Sequence, residues 1–122
     1  MSEDKLTFAI DFDGCLTEYN FPSIGTQSDE QKELLLTLIK LKSNGHKLIL
    51  WTCRGEPALK EAIVWCRNHN LEFDEININP FFEKKSGPSP KIIADYYIDD
   101  KALEFKSLDS RKRTLNLLKS LL

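Results

Sequence analysis

The stretch Leu6-Thr7-Phe8-Ala9-Ile10-Asp11-Phe12-Asp13-Gly14-Cys15-Leu16-Thr17 decides how the rest of the chain is read. Its first five residues, apolar and partly β-branched, read as a buried strand. The strand ends abruptly in two carboxylates one residue apart, with a glycine behind them. Side chains alternate along a strand. Once the chain leaves the sheet in a glycine-assisted turn, however, aspartates at i and i+2 can serve one small volume, by side chain or by backbone carbonyl. Such a volume attracts a hard divalent cation. A strand that simply stops in an Asp-rich turn is the plain alternative, and the remaining sequence has to decide between the two.

With 122 residues, of which 41% are hydrophobic, the chain can bury one core and not a second, so residues 1–122 read as a single domain. A formal net charge of −2 gives no basic excess for a long nucleic acid or a membrane surface. Cys15, Cys53 and Cys66 form no CxxC pair and no even framework, which fits reduced thiols in a cytoplasmic protein. The polar start, Met1 to Lys5, runs straight into the first strand without the pattern of a signal peptide, and no apolar run reaches membrane-spanning length.

After the first strand, Glu18 to Gln27 contains Pro22, Ser23 and Gly25 and reads as a loop or small hairpin over the strand tip. Ser28-Asp29-Glu30-Gln31 fits a capping box and opens a helix with Leu34, Leu35, Leu38, Ile39 and Leu41 on one face; Asn44-Gly45 stops it. Lys47 to Trp51 is a second strand, followed at once by Thr52-Cys53-Arg54-Gly55. Pro57 precedes a second helix that fades at Asn68-His69-Asn70. A third strand is expected within Phe73 to Ile78, a loop over Asn79 to Pro90, and a fourth strand from Ala94 to Ile98 that ends in Asp99-Asp100. One or two helical turns are expected over Lys101 to Lys106, and a last helix from Ser110 to Leu122 with Leu115, Leu118 and Leu122 in a stripe.

This alternation predicts an α/β fold, a parallel sheet with helices on both faces joined by right-handed crossovers. Ligands of such sheets sit beyond the carboxyl ends of the strands. Asp11 and Asp13, Thr52, and Asp99 and Asp100 all fall at expected strand ends, so they should converge on one edge. Carboxylates from two strand tips suit Mg²⁺, while the Thr52 hydroxyl and the Lys91 ammonium would hold phosphoryl oxygens. Asp11 is then the candidate nucleophile and Asp13 the candidate acid and base, a role worth about 10²- to 10⁴-fold.

Four pieces, Asp11-Phe12-Asp13-Gly14-Cys15-Leu16, Thr52, Lys91 and Tyr96-Tyr97-Ile98-Asp99-Asp100, resemble the four motifs of the haloacid dehalogenase-like hydrolases, in that family's order. The resemblance spans almost the whole chain. It implies a three-layer Rossmann-like domain with strand order 3-2-1-4-5 and an Mg²⁺-dependent phosphatase acting through an aspartyl-phosphate on Asp11. Asp13 would be acid and base, Thr52 and Lys91 phosphate ligands, and Asp99 and Asp100 late metal ligands, with the Asp13 backbone carbonyl completing the metal site. Residues 91–101 are also similar to a region of the 5′(3′)-deoxyribonucleotidases. Neither gap between motifs has room for a cap domain, so the site is expected to be open or covered by a neighbouring subunit of a homo-oligomer.

Other residues have two readings. Arg54, with Cys53 beside it, could bind a substrate anion or be an exposed loop arginine. Phe81 and Phe82, beside Lys84 and Lys85, could contact substrate or tether a loop. Cys15 replaces a Thr or Val common in the family and reads as packing; Cys15 and Cys53 could also be oxidation-sensitive. Trp51 and Trp65 read as core, His46 and His69 as structural or solvent-facing. Two further functions stay open: a receiver-type phospho-accepting domain, whose motif order differs from this one, and a non-catalytic binding module. The phosphate ester, whether nucleotide, sugar phosphate, lipid-linked intermediate or phosphoprotein, is left open.

Overall fold

The computed structural model describes residues 5–77, 94–99, 103–105 and 107–122, with Asp99, Leu103 and Glu104 described by their backbone. Along the chain run β1 (Thr7–Ile10), α1 (Asp29–Ser43), β2 (Lys47–Leu50), α2 (Ala58–Asn68), β3 (Glu75–Ile76), β4 (Tyr96–Asp99), β5 (Leu103–Glu104) and α3 (Leu108–Ser120). The strands form one sheet in the order β3-β2-β1-β4-β5, and every pair is parallel. The opening strand therefore lies at the centre, which explains its near-continuous apolar run.

Strand parity sorts the side chains. Phe8 stands level with Leu48 and Tyr96, and Ile10 with Leu50 and Ile98. Phe8, Ile10, Leu48, Leu50 and Ile98 are buried in one core with Leu34 and Leu38 of α1, Ala62 and Cys66 of α2, and Leu115 and Leu118 of α3. The intervening Ala9 and Ile49 form a small separate cluster with Ala94 and Tyr97. The three described helices thus share one face of the sheet, where helices on both faces were expected. For α1 and α2 the reason is directional: β1 to β2 and β2 to β3 step the same way across the sheet, and two right-handed crossovers in the same direction fall on the same side. The return from β3 to β4 runs through residues 78–93, outside the described residues.

Local signals set the helix starts. The Ser28 side chain accepts the Gln31 N–H, and the Gln31 side chain accepts the Ser28 N–H in return. That reciprocal cap begins α1 where the sequence places it, and Gly45, at φ 97°, follows its end. Ser107 and Ser110 build a second such cap, so α3 starts two residues before the expected Ser110. Leu115 and Leu118 are buried, but Leu122 lies past the helix end and is exposed. The helical turns expected over Lys101 to Lys106 are replaced at Leu103–Glu104 by β5, because pairing with Ile98 and Asp99 outweighs a weak local preference. Among the described residues no helix is long and apolar enough to cross a membrane.

Two side chains pin the strand starts. Asp74 accepts the Leu48 N–H at 2.8 Å and a Lys42 ammonium hydrogen bond at 3.1 Å. Burial pushes its carboxyl up, but these two partners outweigh that and hold it below the usual carboxylate range. His46, 9% exposed, accepts the Leu6 N–H at Nδ1 (3.0 Å) and meets the Phe8 ring edge-on. Burial first, and the Lys5 charge second, lower its pKa from the ordinary 6.5. The unfolded chain therefore takes up this proton before the folded one does. The stabilisation is complete above pH 6.5 and is lost as pH falls from there through the lower folded value. Urea midpoints are expected to decline over that window in the parent and to decline less in His46→Gln.

Candidate functional site

The chain turns sharply after β1. The Phe12 carbonyl accepts the N–H groups of Cys15 (3.1 Å) and Leu16 (2.9 Å), and Gly14 takes φ 78°, a backbone that favours glycine. Phe12, fully buried, points into the core with Phe8 and Ile10, while Asp11 and Asp13 on either side of it line a cavity of 610 Å³ beyond the strand end. That volume lies within the usual range for small-molecule sites.

Of the residues singled out from sequence, Asp11, Asp13, Thr52, Cys53 and Arg54 all line this cavity. Thr52 comes from the end of β2, where the Trp51 N–H still reaches the Ile10 carbonyl at 2.8 Å. Two bonds shape its turn: the Thr52 N–H donates to Asn77 Oδ1 (2.7 Å), and its hydroxyl accepts the Arg54 N–H (3.2 Å). Asp99 ends β4, the strand beside β1. The Asp11 N–H donates to the Ile98 carbonyl at 2.9 Å, so Asp11 and Asp99 sit at neighbouring strand tips, whose chains run about 4.8 Å apart. Among the described residues no three His, Cys, Asp or Glu side chains come together as a metal group. Oxygen-bearing residues that line the cavity include Asp11, Asp13, Glu18 and Thr52, and the backbone of Asp99 lies at the adjoining strand tip. Lys91, Asp100, Phe81, Phe82, Lys84 and Lys85 lie outside the described residues.

Arg54 corrects one of its two readings. It is no exposed loop arginine: its side chain is 0% exposed, and its guanidinium grips Asp13 with two parallel hydrogen bonds, Nε to Oδ2 at 2.8 Å and Nη2 to Oδ1 at 2.7 Å. The bond to Asp13 pushes the Arg54 pKa above its ordinary value, against burial, which lowers it. The same guanidinium donates to the carbonyls of Pro22 (3.0 Å) and Ser23 (2.8 Å) in the loop over the cavity, and to Ala58 (3.1 Å) where α2 begins.

That loop, residues 18–27, forms no hairpin. Its base is pinched: the Glu18 N–H donates to the Thr26 carbonyl at 2.7 Å, and the backbone at Gly25 comes so near the Glu18 carbonyl that a Cβ there would collide with it. Tyr19 and Phe21 rise from it along the cavity wall, 73% and 45% exposed. Arg111 of α3 closes the same wall, paired with Glu18 and with Ser28 Oγ at 3.1 Å each and lying over Phe105.

Sequence reasoning missed Asn77, Tyr19, Glu18 and Arg111. Asn77, inside the stretch expected to hold the third strand, had a signal only in its residue type, which tolerates the φ of 53° found there. Glu18 and Tyr19 had one too, lying in the loop expected over the strand tip, whereas Arg111 carried none, since only folding brings it to the cavity. The remaining readings sort as follows. Cys15 is buried with its Sγ 3.7 Å from the Ile98 carbonyl, and Cys53 is exposed. Burial pushes the Cys66 thiol up to about 12. Trp65 packs edge-on against Phe12 and stacks on His69, whereas Trp51, expected in the core, is 36% exposed and touches Tyr97.

No protein-family model matches the chain, and no curated protein does. A solved structure is similar: that of the conserved protein coded by a locus from Bacteroides thetaiotaomicron, with a TM-score of 0.75 and 33% sequence identity over 98% of this chain and 93% of that one. Identity at that level over nearly the full length of both chains shows common descent, and this chain belongs to the family of that Bacteroides protein.

Proposed function

We propose that the chain is an Mg²⁺-dependent phosphohydrolase of the haloacid dehalogenase-like type, cleaving a phosphate monoester through a covalent intermediate on Asp11. The observation that carries this reading is the meeting of Asp11, Asp13 and Thr52 in one cavity, with the tip of β4 and Asp99 next to Asp11. Residues far apart in sequence have little structural reason to gather polar groups there.

Asp11, the Asp13 carbonyl, Asp99 and Asp100 would hold the metal; an all-oxygen set fits a hard cation better than a soft one. Mg²⁺, when bound, offsets the repulsion between an anionic nucleophile and an anionic ester. The chain's own steps are two. An Asp11 carboxylate oxygen attacks phosphorus, the bond to the ester oxygen breaks, and that oxygen keeps the electron pair and takes a proton from Asp13. Water then attacks the phosphorus, giving its proton to Asp13, and the bond to Asp11 breaks with the pair returning to the carboxylate. The Thr52 hydroxyl, and Lys91 in this reading, bind the other phosphoryl oxygens.

Phosphate release from p-nitrophenyl phosphate is the test. Release is expected with Mg²⁺, should stop on addition of EDTA and should return with excess Mg²⁺. Absence of release from a panel of aryl, sugar and nucleotide esters at every Mg²⁺ concentration would reject the proposal.

A further inference from the structure

A guanidinium has five N–H donors, and in Arg54 all five are taken: two by Asp13 and one each by the carbonyls of Pro22, Ser23 and Ala58. None remains for a substrate anion. Its planar group also lies near two rings, Phe12 at 5.0 Å and Phe21 at 5.3 Å from their centroids, so it is held on its faces as well as at its edges. Three of the five bonds go to backbone outside the turn that carries Asp13. The fork that holds Asp13 is therefore fixed to the covering loop and to α2, and it cannot rotate with the carboxylate it grips.

Resting on the phosphohydrolase reading above, we propose that Arg54 is a positioning residue: it sets the plane and rotamer of the Asp13 carboxylate for proton transfer at the leaving oxygen, and itself touches no substrate. Proton transfer needs donor and acceptor within hydrogen-bond reach, and a short acidic side chain on a turn has two free torsions to fix. A bidentate arginine fixes both at once, which a lysine, a point charge on a flexible stem, does not.

The proposal separates two kinds of ester. An alkyl alkoxide needs a proton as it leaves, whereas p-nitrophenolate departs without one. The ratio kcat/KM covers the steps up to the first irreversible one, here formation of the covalent intermediate. In Arg54→Lys, kcat/KM for glycerol phosphate is expected to fall by about 10²-fold and that for p-nitrophenyl phosphate by less than about 10-fold. In an Asp13→Asn background the same substitution should change neither value further. Equal losses on both esters, or a further loss in the Asp13→Asn background, would overturn the proposal.

Should Arg54→Lys fail to fold, the pairing is read in the parent chain by ¹⁵N NMR. The Arg54 Nε–H signal is expected to be protected from exchange and to shift in Asp13→Asn; an unprotected signal, unmoved by that change, would overturn the proposal as well. A parent chain that releases phosphate from neither ester would instead reject the reading of the site as a whole, an outcome distinct from equal losses in an active one.

Discussion

Asp11→Asn is expected to lower phosphate release by roughly 10⁴-fold or more while leaving the thermal midpoint within a few degrees of the parent. Asparagine has the same shape but no anionic oxygen to attack phosphorus, so the covalent route closes. Asparagine matches aspartate in size and shape, and the backbone bond from Asp11 to Ile98 is kept, so the strand end stays tied. Paired assays of phosphate release and thermal unfolding check both halves. Activity above a tenth of the parent level would remove Asp11 from the nucleophile role. Loss of activity with loss of the fold would instead show that its carboxylate is structural.

The largest effect on stability is expected one residue further on. Phe12→Ala should cost about 3–5 kcal/mol, read as a fall in the urea midpoint and a drop of about 15 °C in the melting temperature. Phe12 is 0% exposed, packs edge-on against Trp65 with ring centroids 5.7 Å apart, and lies under the Arg54 guanidinium. Its removal opens a cavity between β1 and α2 and takes away one of the surfaces holding Arg54. A loss below about 1 kcal/mol would mean that the ring is not the anchor of the turn between the two aspartates.

What could be read from sequence was what local chemistry decides. The alternation of strands and helices, the Ser28 cap and the stop at Asn44-Gly45 all follow from residues within a few positions of one another. The α3 start was misjudged because its box uses Ser110 where Glu or Gln is the usual partner. β5 was missed because two residues become a strand only through a neighbour. Within the site, the residue types at Asp11, Asp13 and Thr52 were legible, and the structure gathers them. The role of Arg54 was not, since its partner Asp13 lies 41 positions away and nothing in Thr52-Cys53-Arg54-Gly55 says which way the side chain turns. The shared face of α1 and α2 had a readable cause, the direction in which successive crossovers step, but it needs the strand order first.

The pinched base at Glu18 and Gly25 separates the tip of the covering loop from the sheet it rises from. Extra chain spliced between Asn20 and Phe21 would leave both stems tied, and each doubling of such a flexible segment adds only about 0.6 kcal/mol in closure entropy. A lineage built on this scaffold can therefore acquire a bulkier roof, and with it a differently shaped cavity, without refolding the strands beneath.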